Sequence, residues 1–360
     1  MKENNNKGKT SKNKIRADLE QLVFNMVKEL PKRSRDIVIK RFNLNKSEEA
    51  STLEKIGEEY KITRERVRQI ESEAISKLKN IGEKHNIGQV FESVKNSVEN
   101  HGGIAGEEKI ISYLFGEENG GKTSRQIILF ILALDGKIKK AGETKTHRKI
   151  YFYKKESVEK FKSVIKRIEE HLEKNKKDVD FDEMLEIANE YLKGGEKISS
   201  SHLKSYLDEN KIILKNILGR WGRAKWSHIN PKNIRDKAYL ALKKSEKPLH
   251  FVEIANKINK FWRGGRIANS QTTHNELIKD DRFVLVGRGI YALKEWGYSP
   301  GTVLDVIIEI LKESGGKMEQ GNIIQEVLKR RQVKKNTIVL NLQNKEYFEK
   351  VKEKVYKLKR

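Results

Sequence analysis

Cysteine is absent from the 360 residues, and proline occurs only four times. Without thiols there is no disulfide, no thiolate metal site and no cysteine nucleophile, a composition that suits a reducing compartment. Scarce proline leaves helices uninterrupted. No run is long and apolar enough to span a bilayer, so no membrane association is expected. The opening residues, MKENNNKGKTSKNK, are polar and basic where a signal peptide needs an apolar core, and they read as a basic, disordered arm. The eight histidines are scattered, with no pair four apart beside a partnering glutamate, so no zinc site is expected. No Ser–His–Asp set or tight carboxylate cluster stands out. An enzyme is therefore not expected, nor a cofactor or small-molecule substrate.

One stretch imitates a nucleotide site. GEENGGKT (116–123) fits the phosphate-loop spacing, and an apolar run ending in Asp135 resembles the metal-binding strand that often accompanies it. The context is wrong. Helix-like residues precede the loop, Glu117 and Glu118 repel phosphate, and the apolar run follows too soon for an intervening helix. It reads as a loop before a helix.

What the chain has is positive charge. Lys and Arg number 76 against 51 Asp and Glu, a net +25. Such a balance points to a polyanion, although a lysine-rich surface can also serve only solubility. The chain in which this charge sits is organised around TLEKIGEEYKITRERVRQIESEAISKLK (52–79). It reads as two helices joined at Tyr60-Lys61-Ile62. Ser51 with Glu54 three residues on has capping-box spacing, Gly57 leaves room for a second helix to cross, and Thr63 fits an N-cap. In the second helix Val67, Ile70, Ala74 and Leu78 follow the helical period and face a core. Arg64, Glu65, Arg68, Gln69 and Ser72 fall opposite, crowded into the first turns. A recognition helix offers its N-terminal residues to the major groove, where Arg forks onto guanine, Gln pairs with adenine and Glu accepts from cytosine. The plainer reading is a solvated helix face.

This stretch, together with LPKRSRDIVIKRF (30–42), resembles region 4 of bacterial sigma factors of the principal type, the part that reads the −35 promoter element. The resemblance implies base contacts for Arg64, Glu65 and Gln69, and base or backbone support from Arg68. The full expected DNA-binding set is Thr63, Arg64, Glu65, Arg66, Arg68, Gln69 and Ser72, within a helix-turn-helix from Leu53 to Ser72. It also implies that the module's first helices dock on the flap of bacterial-type RNA polymerase. Nothing flanking the module resembles the clamp-binding and −10-opening regions of a full sigma factor, so autonomous promoter opening is not expected.

Beyond it a plan recurs every 60 to 75 residues or so: helices, then a basic-aromatic strand pair. The first repeat is expected to hold helices over 90–98, 107–115 and 124–134, with strands in LDGKIKKAG and HRKIYFYK. The second is vaguer, with helices over 161–172 and 182–192. In the third, PLHFVEIANKI leads to a helix over RIANSQTTHNELIKDD (266–281) and a hairpin turning at Gly287-Arg288-Gly289. The last runs from Thr302 through KNTIVLNLQN to FEKVKEKVYKLKR. The third repeat resembles the HARE-type winged helix, a family shared by the delta subunit of some bacterial RNA polymerases. Its wing suggests phosphate contacts from Arg282 and Arg288, although such modules also dock proteins.

The expected fold is mainly α, a helix-turn-helix module followed by tandem winged-helix-like modules with small β-wings. The expected segments are a basic arm (1–14), the helix-turn-helix (15–82), winged-helix-like units (88–156, 157–232, 300–360) and a HARE-type unit (233–298). The expected partners are promoter-like double-stranded DNA and RNA polymerase, in the cytoplasm at the nucleoid. A delta-like polymerase docking protein, or a nucleoid or DNA-modification-linked binder, are the alternatives.

Overall fold

A computed structural model of the chain describes residues 18–45, 49–116, 122–190, 197–298 and 300–359, without the side chains of 122–124. The expected basic arm and residues 117–121 of the phosphate-loop-like stretch lie outside these. The described residues are mainly α, with small sheets of two or three strands. They form two compact units, Met1–Leu214 and Lys215–Arg360.

The first unit begins with α1, a helix through residues 18–28, then α2 (Lys32–Phe42), α3 (Leu53–Tyr60) and α4 (Arg64–Lys84). It continues through α5 (Gly88–Asn100), α6 (Glu107–Phe115), α7 (Lys122–Leu134), β1 (Lys139–Ala141) and β2 (Ile150–Phe152). β1 and β2 pair antiparallel, and Ala105 bridges to Tyr151 from the other side. The sequence reading of a wing over 134–154 is thus met by a short sheet with a one-residue third strand.

The interior of this unit is shared. Leu19, Val23, Met26, Val27 and Leu30 of the first turns pack in one core with Ala74 and Leu78 of α4 and with Ile128, Phe130, Ile131 and Leu134 of α7. The Phe42 and Phe130 rings meet edge-on, 5.3 Å apart. α7 carries IILFILAL, apolar on every side, and a helix of that kind is stable only when surrounded.

α8 (Lys155–Asn175), α9 (Phe181–Glu190) and α10 (Ser200–Glu209) follow. α10 has no counterpart in the sequence reading, although Ser199 caps it by accepting from His202 N at 3.2 Å. This group is tied to the preceding wing: the Tyr206 hydroxyl donates to Gly102 O (2.9 Å), Arg148 N donates to Glu209 O (2.8 Å) and Lys211 N to Thr146 O (2.9 Å). The buried Glu209 carboxylate accepts from Gly106 N at 3.1 Å, at the start of α6, and burial pushes its pKa up. The boundary between the two units falls within β3 (Ile213–Lys215).

The second unit contains β4 (Trp221–Arg223), α11 (Ile234–Ser245), β5 (Leu249–His250), α12 (Phe251–Phe261), α13 (Ser270–Ile278), β6 (Phe283–Gly287) and β7 (Ile290–Leu293). The sheet order is β5-β7-β6. α13 is shorter than the 266–281 read from sequence. Asn269 caps it, accepting from Gln271 N (2.8 Å) and Thr272 N (3.4 Å), so the chain before it is not helical. The hairpin turns at Gly289, whose φ of +70° suits glycine and whose added Cβ would lie 2.6 Å from the His250 ring.

The same plan returns in α14 (Val303–Glu313), β8 (Lys317–Glu319), α15 (Gln320–Arg330), α16 (Lys335–Leu342), β9 (Phe348–Lys352) and β10 (Val355–Leu358). Its sheet order is β8-β10-β9, and its core is its own, built on Val306, Ile310, Ile323, Val327, Ile338 and Phe348.

An asparagine latch recurs as well. Asn189 Oδ1 accepts from Ile198 N, and Asn259 Oδ1 accepts from Ala268 N, both at 2.7 Å and both nine residues apart. Each latch fixes the approach to a third helix, α10 or α13, which supports one plan for both repeats.

Candidate nucleic-acid interface

The helix-turn-helix is built by caps and one close approach. Thr52 caps α3, its hydroxyl accepting from Lys55 N at 3.2 Å. This corrects the expected Ser51–Glu54 capping box. Ser51 N instead donates to Lys40 O (2.9 Å), and Glu54 pairs with Arg64. α3 ends through Lys61 in the left-handed region (φ 52°). Ile62 N then donates back to Gly57 O at 2.9 Å. A Cβ on Gly57 would lie 2.7 Å from the Ile62 carbonyl, so glycine is what lets the turn fold against α3. Thr63 is extended (φ −68°, ψ 152°) and its hydroxyl accepts from Arg66 N at 3.2 Å, the N-cap read from sequence.

Ile37, Ile56, Val67 and Ile70 close the small core of this turn, with Leu53, Tyr60 and Ile62 against it. Ala74 and Leu78 anchor the rest of α4 in the larger core. The first turns of α4 therefore project from a helix held along most of its length, which is how a rigid element presents a contact face. Thr63, Arg64, Glu65, Arg66, Arg68, Gln69 and Ser72 are all exposed on that projection.

These side chains hold one another. Arg68 forks onto Glu65, with Nη2 to Oε1 at 2.6 Å and Nε to Oε2 at 2.9 Å. The bond from Arg68 holds the Glu65 carboxyl below its usual range. Arg66 Nη1 donates to Gln69 Oε1 at 3.0 Å, and Arg64 Nη1 lies 2.8 Å from Glu54 Oε1. Exposed pairs of this kind add little stability. Their effect is to orient guanidinium and amide groups along one face. Behind the turn, Arg33 and Lys40 lie over the Tyr60 ring at 5.9 and 5.2 Å from its centre.

At the wing of the third repeat the two expected arginines part company. Arg288 stands exposed in the β6–β7 turn. Arg282 is engaged within the protein. Its Nη2 bonds Asp280 Oδ2 (2.6 Å) and Asp236 Oδ1 (2.9 Å), and its guanidinium lies over Tyr239 and Phe283, 5.2 and 5.8 Å from the ring centres. Asp280, a carboxylate that would by itself repel phosphate, is held ionised by the same bond from Arg282. Asp236 lies 46 residues away in sequence, beyond the reach of local pattern.

Among the described residues, no group of three or more His, Asp or Glu could hold a metal ion, and no helix is long and apolar enough to cross a membrane.

Residues 26–80 match the family model of Sigma-70, region 4. The chain is 45% identical over 65 residues to the RNA polymerase sigma factor RpoD of Helicobacter pylori (strain ATCC 700392 / 26695), covering 18% of this chain and 10% of that protein. It is 44% identical over 69 residues to the RNA polymerase sigma factor SigA of Microcystis aeruginosa, covering 19% of this chain and 15% of that protein. SigA of Synechocystis sp. (strain ATCC 27184 / PCC 6803 / Kazusa) matches to the same extent. The match thus spans a tenth to a seventh or so of these relatives, and it coincides with the helix-turn-helix.

Proposed function

We propose that the protein binds promoter-like duplex DNA and acts on transcription initiation together with RNA polymerase. The observation that carries this is the projecting start of α4, where Arg64, Glu65, Arg68 and Gln69 form one exposed face on a helix anchored from Val67 to Leu78. With that end in the major groove, Arg64, Glu65 and Gln69 meet base edges of a −35-like element. Thr63, Arg66, Arg68 and Ser72 flank them toward the phosphates. The relatives' description as RNA polymerase sigma factors supports the polymerase partnership. We assign the flap contact to an open, mostly apolar hollow of about 520 Å³ beside α1, lined by Val23, Phe24, Val27, Ile39, Leu44 and Ile127. Phe24 is 62% exposed there.

The test is fluorescence anisotropy on a −35-type duplex and a scrambled duplex of equal length, across a salt series. Arg64→Ala is expected to weaken specific binding by about 1–3 kcal/mol, the loss of one bidentate base contact. An equal loss on both duplexes would reduce Arg64 to a phosphate contact and remove the sequence-reading role.

A second reading, a delta-like polymerase docking protein with a HARE-type third repeat, is favoured by one observation. Arg282 at that wing is bonded to both Asp236 and Asp280, whose two negative charges outweigh its one positive charge toward a phosphate. Polymerase binding that survives high salt, with no sequence preference on DNA, would select it.

A further inference from the structure

The last repeat carries a cationic face that the helix-turn-helix does not account for. Residues 343–359 hold six lysines against three glutamates. One of those glutamates, Glu349, is already taken by Lys357 at 3.0 Å. Lys345, Lys350, Lys352 and Lys354 are exposed, and no carboxylate pairs with them among the described residues. Lys350 and Lys352 stand on β9, in register with Tyr356 and Val355 of β10, and Lys354 stands in the turn that joins the strands. Such spacing puts ammonium groups along a projecting hairpin.

Between that hairpin and the end of α16 lies an open hollow of about 620 Å³. Gln343 and Lys345 line it on one side and Phe348, Glu349, Lys350, Tyr356 and Lys359 on the other, with the one carboxylate, Glu349, ion-paired to Lys357. Lys359 is steadied there by donating to the Lys345 carbonyl at 3.2 Å. α16 itself buries only Ile338 and Leu342. Its outer face carries Asn336, Thr337 and Leu340, all exposed, with Leu340 at 66%. The asparagine and threonine can donate and accept, and the leucine is apolar. Lys334 and Lys335 precede them, also exposed.

We propose that residues 302–359 form a second grip on duplex DNA, separate from the helix-turn-helix. One sugar-phosphate strand lies in the hollow between α16 and the β9–β10 hairpin. α16 faces the major groove through Asn336, Thr337 and Leu340. Lys345 and Lys350 neutralise the strand in the hollow, and Lys352 and Lys354 reach the phosphates beyond it. Charge selects the occupant: unpaired ammonium groups on both walls of a hollow favour a polyanion, and a phosphate strand is the linear polyanion that can run through it. A helix flanking the hollow selects B-form DNA over A-form RNA, whose major groove is too narrow for it. Residues 302–359 belong to a different module from Arg64, so this grip is independent of what Arg64 reads.

The test uses the full chain carrying Lys350→Ala, Lys352→Ala and Lys354→Ala together. All three side chains are exposed, so the melting temperature is expected to stay the same. On both the −35-type and the scrambled duplex, the plot of log affinity against log salt is expected to become shallower by about 3, since each neutralised phosphate contributes about 0.9 to the slope. The ratio between the two duplexes stays unchanged. Hydroxyl-radical footprinting is expected to show two protected patches, one missing in the triple variant and kept in Arg64→Ala. A folded triple variant with an unchanged salt slope and footprint overturns the proposal. So does a variant that keeps its DNA affinity but loses polymerase, which would make the occupant an acidic protein. Failure of sequence reading by Arg64 would instead appear as equal affinities for the two duplexes, with the slope difference intact.

Discussion

The first and last repeats after the helix-turn-helix share an order of elements and use it oppositely. In both, a helix and a short strand precede two helices and a hairpin: α5, Ala105, α6, α7, β1 and β2 in one, and α14, β8, α15, α16, β9 and β10 in the other. The third helix of the first module is a spine. α7 buries Ile128, Phe130, Ile131 and Leu134, and its module is stitched on both sides, to α1 and α4 through the core and to the end of α10 through Tyr206 and Glu209, with Lys211 just beyond it. The third helix of the last module buries one stripe, Ile338 and Leu342, and leaves its outer face to solvent. A position in a repeated plan therefore does not set a role. The residues on the outer face of the helix do, because an apolar face must be covered and a polar one can wait for a ligand.

The contrast is broken most directly at Phe130. Phe130→Ala removes a fully buried ring from a core shared by two modules, and a loss of about 3–5 kcal/mol is expected in urea denaturation. A loss below about 1 kcal/mol would mean that α7 is not a spine.

Next in size comes Arg282→Ala, which leaves Asp236 and Asp280 without their shared cation. The two carboxylate side chains are 12% exposed and the Arg282 side chain 40%. The expected cost is therefore about 1–2 kcal/mol rather than that of a fully buried pair, read by thermal melting. DNA affinity should not change. A drop in affinity at unchanged stability would return Arg282 to a wing contact.

Glu209→Gln probes the stitching of the first module by pH. Burial raises the Glu209 pKa above its ordinary 4.5, so the folded chain holds that proton more tightly than the unfolded chain does. The ionised carboxylate then costs stability at neutral pH, and the cost fades as the pH falls through the raised value toward 4.5. The glutamine retains an acceptor for Gly106 N. A small gain in melting temperature at pH 7, shrinking as the pH is lowered toward 4.5, is expected. A loss at pH 7 would show that the charge itself holds the two modules together.

The smallest effect belongs to Leu340→Ala. With 66% of the residue exposed, stability should move by no more than about 0.5 kcal/mol in the same denaturation series. A large loss would mean that α16 is covered as α7 is, and would erase the contrast.

Much of the fold is written locally. The helical period placed Val67, Ile70, Ala74 and Leu78 inside and Arg64, Glu65, Arg68, Gln69 and Ser72 outside, and the structure has them there. Thr63 as N-cap and Gly289 at a hairpin turn follow from side-chain and backbone chemistry within a few residues. Residues 191–196, where the helix read over 182–192 ends, lie outside the described residues.

Partners were another matter. Asp280, two residues before Arg282, is a local hint that sets it apart from Arg288 in the turn of the same hairpin, but the second partner, Asp236 from another helix, is not legible locally. Nor does the local sequence say that Thr52 caps α3 while Ser51 turns its amide to Lys40, or that IILFILAL closes over α1 and α4. The sequence by itself determined which faces are apolar, which helices form and where the positive charge lies, because periodicity and capping act over a turn or two. Only the tertiary structure decided which apolar face covers which, and which cations are already paired. Those choices depend on residues brought together from distant parts of the chain, where Coulomb and packing terms act through space and leave no local pattern to read.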